Sequence, residues 1–79
     1  MNKSYHYEFP IPAFHPNLPI PARGIKCKCN PYATIEECVE ACKTACAKWD
    51  VNYDDPKVKL FMTDSDGVHE VTEEGELAG

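Results

Sequence analysis

Thr34-Ile35-Glu36-Glu37-Cys38-Val39-Glu40-Ala41-Cys42-Lys43-Thr44-Ala45-Cys46-Ala47-Lys48-Trp49 is the stretch that decides the fold. Thr34 with Glu37 three residues later forms a capping box, in which the threonine hydroxyl takes up an N–H that the first turn leaves unpaired. Glu36 and Glu37 suit the positive end of a helix. Ile35, Cys38, Val39, Cys42, Cys46 and Trp49 recur at helical spacing and make one apolar stripe. The pattern predicts an amphipathic helix over about 35–49, with Glu40, Lys43 and Lys48 in water. Trp49 closes the stripe and is expected to anchor the helix end in the core.

Upstream, Ile25-Lys26-Cys27-Lys28-Cys29 alternates apolar and charged residues. That period of two predicts a short strand with Ile25, Cys27 and Cys29 on one face and both lysines in water. Asn30-Pro31-Tyr32 breaks it. Downstream, Val58, Leu60 and Met62 alternate with Lys57, Lys59 and Phe61. Asp64-Ser65-Asp66-Gly67 then reads as a hairpin turn in which Gly67 takes positive φ, and Val68 to Thr72 returns as the second strand. Asp64, Asp66, Gly67, Glu70 and Glu73 also fall at calcium-loop positions. Met62, which cannot ligate, stands at the first of them, and strands replace the flanking helices, so a hairpin is expected instead. The reading is α+β: one amphipathic helix packed on a small sheet (strand, helix, β-hairpin).

Five of the seven prolines precede residue 22, and Phe9-Pro10-Ile11-Pro12-Ala13 is echoed nine residues later by Leu18-Pro19-Ile20-Pro21-Ala22. Nine residues are three turns of polyproline II, so both copies could present one face. Residues 1–22 are therefore expected to form an extended proline-rich arm, 23–72 the α+β core, and 73–79 an acidic, frayed tail. The arm's side chains either fold back over the protein's own sheet or lie in a partner's groove.

The 79 residues make one domain, with 43% hydrophobic and 27% charged residues. No apolar run after Met1–Glu8 resembles a secretory signal, and no stretch is long enough to span a bilayer. With an odd number of cysteines (five), a reduced cytoplasmic state is expected. Residues 1–49 hold six Lys/Arg against four Asp/Glu, whereas residues 50–79 hold two against nine. An acidic half repels nucleic acid and anionic membrane and favours a basic surface on a protein partner.

The cysteines carry three readings. As small hydrophobes, all five could face one interior. As ligands, Cys27, Cys29, Cys38 and Cys42 (or Cys46) could hold a structural zinc ion, although the two-residue gap of a zinc knuckle is absent. As disulfides, a strand-to-helix bridge is feasible, but Cys27–Cys29 is not. No nucleophile elbow or phosphate-cradling loop accompanies them, so no catalytic residue is assigned. The expectation is a non-enzymatic protein-binding module that regulates or inhibits a larger partner. A phage or mobile-element inhibitor of a nucleic-acid machine, without direct nucleic-acid contact, would fit. Its contacts would come from Phe9, Ile11, Phe14, Leu18 and Ile20 of the arm and from Asp64, Asp66, Glu70 and Glu73 of the hairpin. The alternative is a small zinc-binding structural protein.

Overall fold

A computed structural model describes residues 3–12, 14, 16, 24–28 and 30–78. In chain order the elements are β1 (Ser4–Pro10), β2 (Lys26–Lys28), α1 (Ile35–Lys48), β3 (Lys59–Asp64) and β4 (Gly67–Val71). The four strands form one antiparallel sheet in the order β2-β1-β3-β4, and α1 packs on one face of it. This is the α+β arrangement expected from the periodicities.

Strand β1 is where the structure departs most from that reading. Residues assigned to an arm outside the core supply an inner strand, with β2 on one side and β3 on the other. The cause is local. Tyr5, Tyr7 and Phe9 alternate with Ser4, His6 and Glu8, a half-apolar strand pattern that ends as the prolines begin. Pro10 is tolerated because the pairing with β3 stops at Glu8↔Lys59, so no neighbour requires its missing N–H.

The helix forms as the capping box dictates. The Glu37 amide donates to Thr34 Oγ1 at 3.2 Å, and Cys38, Cys42 and Cys46 are buried. At the other end Val51 donates to the Cys46 carbonyl and Asp50 to that of Ala47. This is the Schellman closure, with Asp50 at φ 57 where glycine is usual. The helix therefore stops at Lys48. Trp49 is its C-cap and only half-buried, so it borders the core without filling it.

The core joins the three helix cysteines to Tyr7, Phe9, Leu60, Met62 and Val71, one layer of helix on one face of the sheet. Phe9 has no exposed surface. Register brings these side chains together, because Tyr7 pairs with Leu60 and Leu60 with Val71. Among the described residues no helix or strand packs on the opposite face of the sheet. On it His6 stacks on Phe61 with ring centroids 5.0 Å apart, and Glu8 meets Lys26 and Lys28 at 3.0 and 3.8 Å.

The C-terminal segment folds back as far as Ala78 where fraying was expected. Thr72 donates to the Glu76 carbonyl, Ala78 donates to that of Glu70, and Val71 bridges Leu77. The turn relies on Gly75, at φ 85. A Cβ there would lie 3.4 Å from the Ile35 side chain, so the turn rests against the start of the helix.

Candidate functional site

Two surfaces stand out, one at each edge of the sheet. At the β2 edge, an open groove of about 700 Å³ runs between the sheet and the flank of α1. Tyr7 and Cys27 form its floor, Tyr32 closes one end, and Ala41, Ala45 and Trp49 form the helix wall. Glu37, Glu40, Thr44 and Lys48 rim it. The groove exists because α1 presents alanines to this side and stands over β1 (its main strand contact), leaving β2 uncovered. Burial pushes the Cys27 thiol above its ordinary pKa, partly opposed by the Tyr7 hydroxyl and Lys48. Burial likewise raises Cys46. Both are protonated at neutral pH and poor nucleophiles.

At the β4 edge the acidic half of the sequence gathers. Asp54, Asp55, Glu70 and Glu73 line one shallow depression of about 260 Å³ with Tyr53, Pro56 and Lys59. Several of these acids have partners within the protein. Glu73 accepts from the Tyr53 hydroxyl at 3.3 Å, and Lys59 reaches Glu70 at 3.3 Å. Burial first, then the Glu73 charge, raises the pKa of Tyr53. Asp64 accepts the Asp66 amide at 2.8 Å inside the hairpin turn and lies 3.3 Å from His69 Nε2. The turn's amide holds the Asp64 carboxyl below the usual range. Gly67 sits at φ 124, as the hairpin reading requires.

No protein-family model matches this chain, and no characterised protein or solved structure matches it either.

The contact residues expected from sequence are divided by the fold. Phe9 belongs to the core, where it has no exposed surface. Ile11 is half-buried, its amide donating to the Ile25 carbonyl, and it borders a small pocket with Pro10 and Val51. Phe14 is 72% exposed and open to contact. Leu18 and Ile20 lie outside the described residues. Asp64 is committed to its turn, while Asp66, Glu70 and Glu73 face solvent.

Of the proposed zinc ligands that are described, Cys38 and Cys42 are sealed in the core, whereas Cys27 stands in the groove. Cys38 and Cys46 are eight residues apart, about 12 Å along the axis. Cys29 lies outside the described residues, and among those described no three His, Cys, Asp or Glu side chains could hold a metal ion together. Among the described cysteines, Cys27, Cys38, Cys42 and Cys46, no disulfide links any two. Among the described residues no helix is long and apolar enough to cross a membrane.

The groove itself was missed by sequence reasoning. Its signals were Ala41 and Ala45 flanking the cysteine stripe, and the alternation of Tyr5, Tyr7 and Phe9.

Proposed function

We propose that this chain is a non-enzymatic protein-binding module that regulates or inhibits a larger partner by docking its acidic end on a basic surface of that partner. The observation that carries this reading is the gathering of Asp54, Asp55, Glu70 and Glu73 around one depression beside the hairpin. A field of one sign on one end of a small protein speeds encounter with the opposite sign and repels nucleic acid. An inhibitor that occupies the basic track of a nucleic-acid-handling partner is the form of the reading this charge favours. Phe14, exposed on the connection between β1 and β2, would add an apolar contact. Protonated, buried thiols argue for cysteines that pack and against cysteines that react. An odd number of cysteines, five, also suits a reducing, cytoplasmic compartment.

Affinity capture tests this with two baits, the unaltered chain and a variant carrying Asp54→Asn, Asp55→Asn, Glu70→Gln and Glu73→Gln. A partner should be held by the first bait at low salt, released as salt rises, and associate roughly tenfold more slowly with the second. A partner that binds both baits equally at every salt concentration would overturn the reading.

A further inference from the structure

The edge opposite the acidic end has the parts of a strand-accepting site. In an antiparallel pair, residues alternate between turning both backbone groups toward the neighbour and turning both away. The Ile11 amide donates to the Ile25 carbonyl, and Phe9 pairs with Cys27, so Ile25 and Cys27 face β1. The N–H and C=O groups of Lys26 and Lys28 must then point outward. Among the described residues no backbone pairs with them. The side chains divide the same way. Cys27 faces the groove, with Tyr7, Tyr32 and Trp49 beside it. Lys26 and Lys28 stand on the open face, 54% and 65% exposed, with Glu8 as the acid they share. Among the described residues one of the two positive charges is thus left without an acid of its own at this edge.

We propose that the β2 edge accepts an extended segment of another protein as a fifth strand, and that the segment reads acidic–apolar–acidic. Its two acidic residues sit opposite Lys26 and Lys28, where backbone hydrogen bonds form and both pairs of side chains share the open face. The apolar residue between them sits opposite Cys27, on the groove face, and drops between the sheet and the alanine wall of α1. Main-chain bonding supplies affinity, while the lysines and the groove supply selectivity. This surface is separate from the acidic end, so the proposal does not rest on the reading given above.

The test is an NMR titration of the 15N-labelled full chain with a blocked peptide, Ser-Thr-Glu-Leu-Glu-Thr-Ser. Shifts should centre on the amides of Lys26, Lys28 and Ala45 and on the Trp49 indole. A Lys-Leu-Lys version of the peptide should bind at least about fivefold more weakly, since two exposed ion pairs are exchanged for repulsions. Lys28→Pro removes an outward N–H and leaves the pairing with β1 in place, so it should abolish binding at an unchanged melting temperature. Should that variant fold poorly, the double reversal Lys26→Glu with Lys28→Glu decides the matter, because the preference should switch to the Lys-Leu-Lys peptide. No shift at millimolar peptide, shifts elsewhere, or a preference that survives the reversal would overturn the proposal. So would sedimentation showing a dimer of the free chain that Lys28→Pro dissolves, since a second copy would then be the occupant.

Discussion

The two edges of this sheet are handled in opposite ways. An edge strand carries unpaired N–H and C=O groups that invite another chain, and a small protein must cover or guard them. At β4 the chain covers the C-terminal end of its own edge, where Thr72 and Ala78 bond back to form a short return along Glu70 and Val71. At β2 the edge is only three residues long and guarded by two lysines. The first solution uses backbone, the second charge. Among the described residues backbone groups stay unpaired at both edges, those of Val68 on β4 and those of Lys26 and Lys28 on β2, but only the β2 groups lie beside an apolar groove. The difference teaches where to look for recognition: at the edge held off by charge, which an opposite charge can reverse.

Both edges hang on the inner pair β1 and β3, so the largest effect should come from there. Phe9→Ala empties the best-buried site on β1, and loss of a buried phenylalanine is worth about 3–5 kcal/mol. With total stability on the order of 5–15 kcal/mol, thermal melting should show a protein largely or wholly unfolded. Phe14→Ala, nearby in sequence but exposed, should stay within about 0.5 kcal/mol of the parent. Deleting residues 1–21 likewise removes an inner strand, so the protein should fail to fold. An extended arm outside the core would instead have predicted an intact melting curve.

Next in size is removal of residues 73–79. This uncovers the β4 edge, frees Ile35 from Gly75 and releases Tyr53 from Glu73. A loss of about 1–3 kcal/mol is expected from the hydrogen bonds and contacts given up. The truncated chain should also self-associate at concentrations where the parent does not, as sedimentation would show. A monomer of unchanged stability would mean that the return along β4 contributes nothing.

The smallest effect is electrostatic. The Lys26 hydrogen bond holds the Glu8 carboxyl below its ordinary pKa of 4.5. Folding therefore favours its ionised form. That contribution is complete above pH 4.5 and is lost as pH falls through the lower folded value. Glu8→Gln should cost at most about 1 kcal/mol at pH 7 and nothing well below pH 4, when denaturation is followed across that range. A destabilisation independent of pH would assign Glu8 a packing role.

Much of this fold was legible in the sequence, for physical reasons that also explain what was not. The helix announced itself because Thr34, Glu37 and the cysteine spacing agree on one start and one face. The hairpin did so because Gly67 follows two aspartates between alternating runs. Strand β1 carried the same period-two signal in Tyr5, Tyr7 and Phe9, but Pro10 and Pro12 follow directly, and composition joined the strand to the proline repeat. Trp49 extends the apolar stripe, and that spacing alone predicts a place in the core. The helix ends at Lys48, so Trp49 stands as its C-cap and its side chain lines the groove. The groove depends on where α1 lies across the sheet. Strand order decides that, and no local pattern encodes it.

Hydrogen exchange along β2 is the sharpest test, because neighbouring residues there should behave in opposite ways. The Cys27 amide, turned toward β1, should be protected close to the level of Tyr7 and Leu60. The amides of Lys26 and Lys28 should exchange orders of magnitude faster, while those of Thr72 and Ala78 at the other edge should be slowed. Equal protection at Lys26, Cys27 and Lys28 would contradict the account, since it would mean that the β2 edge is already covered.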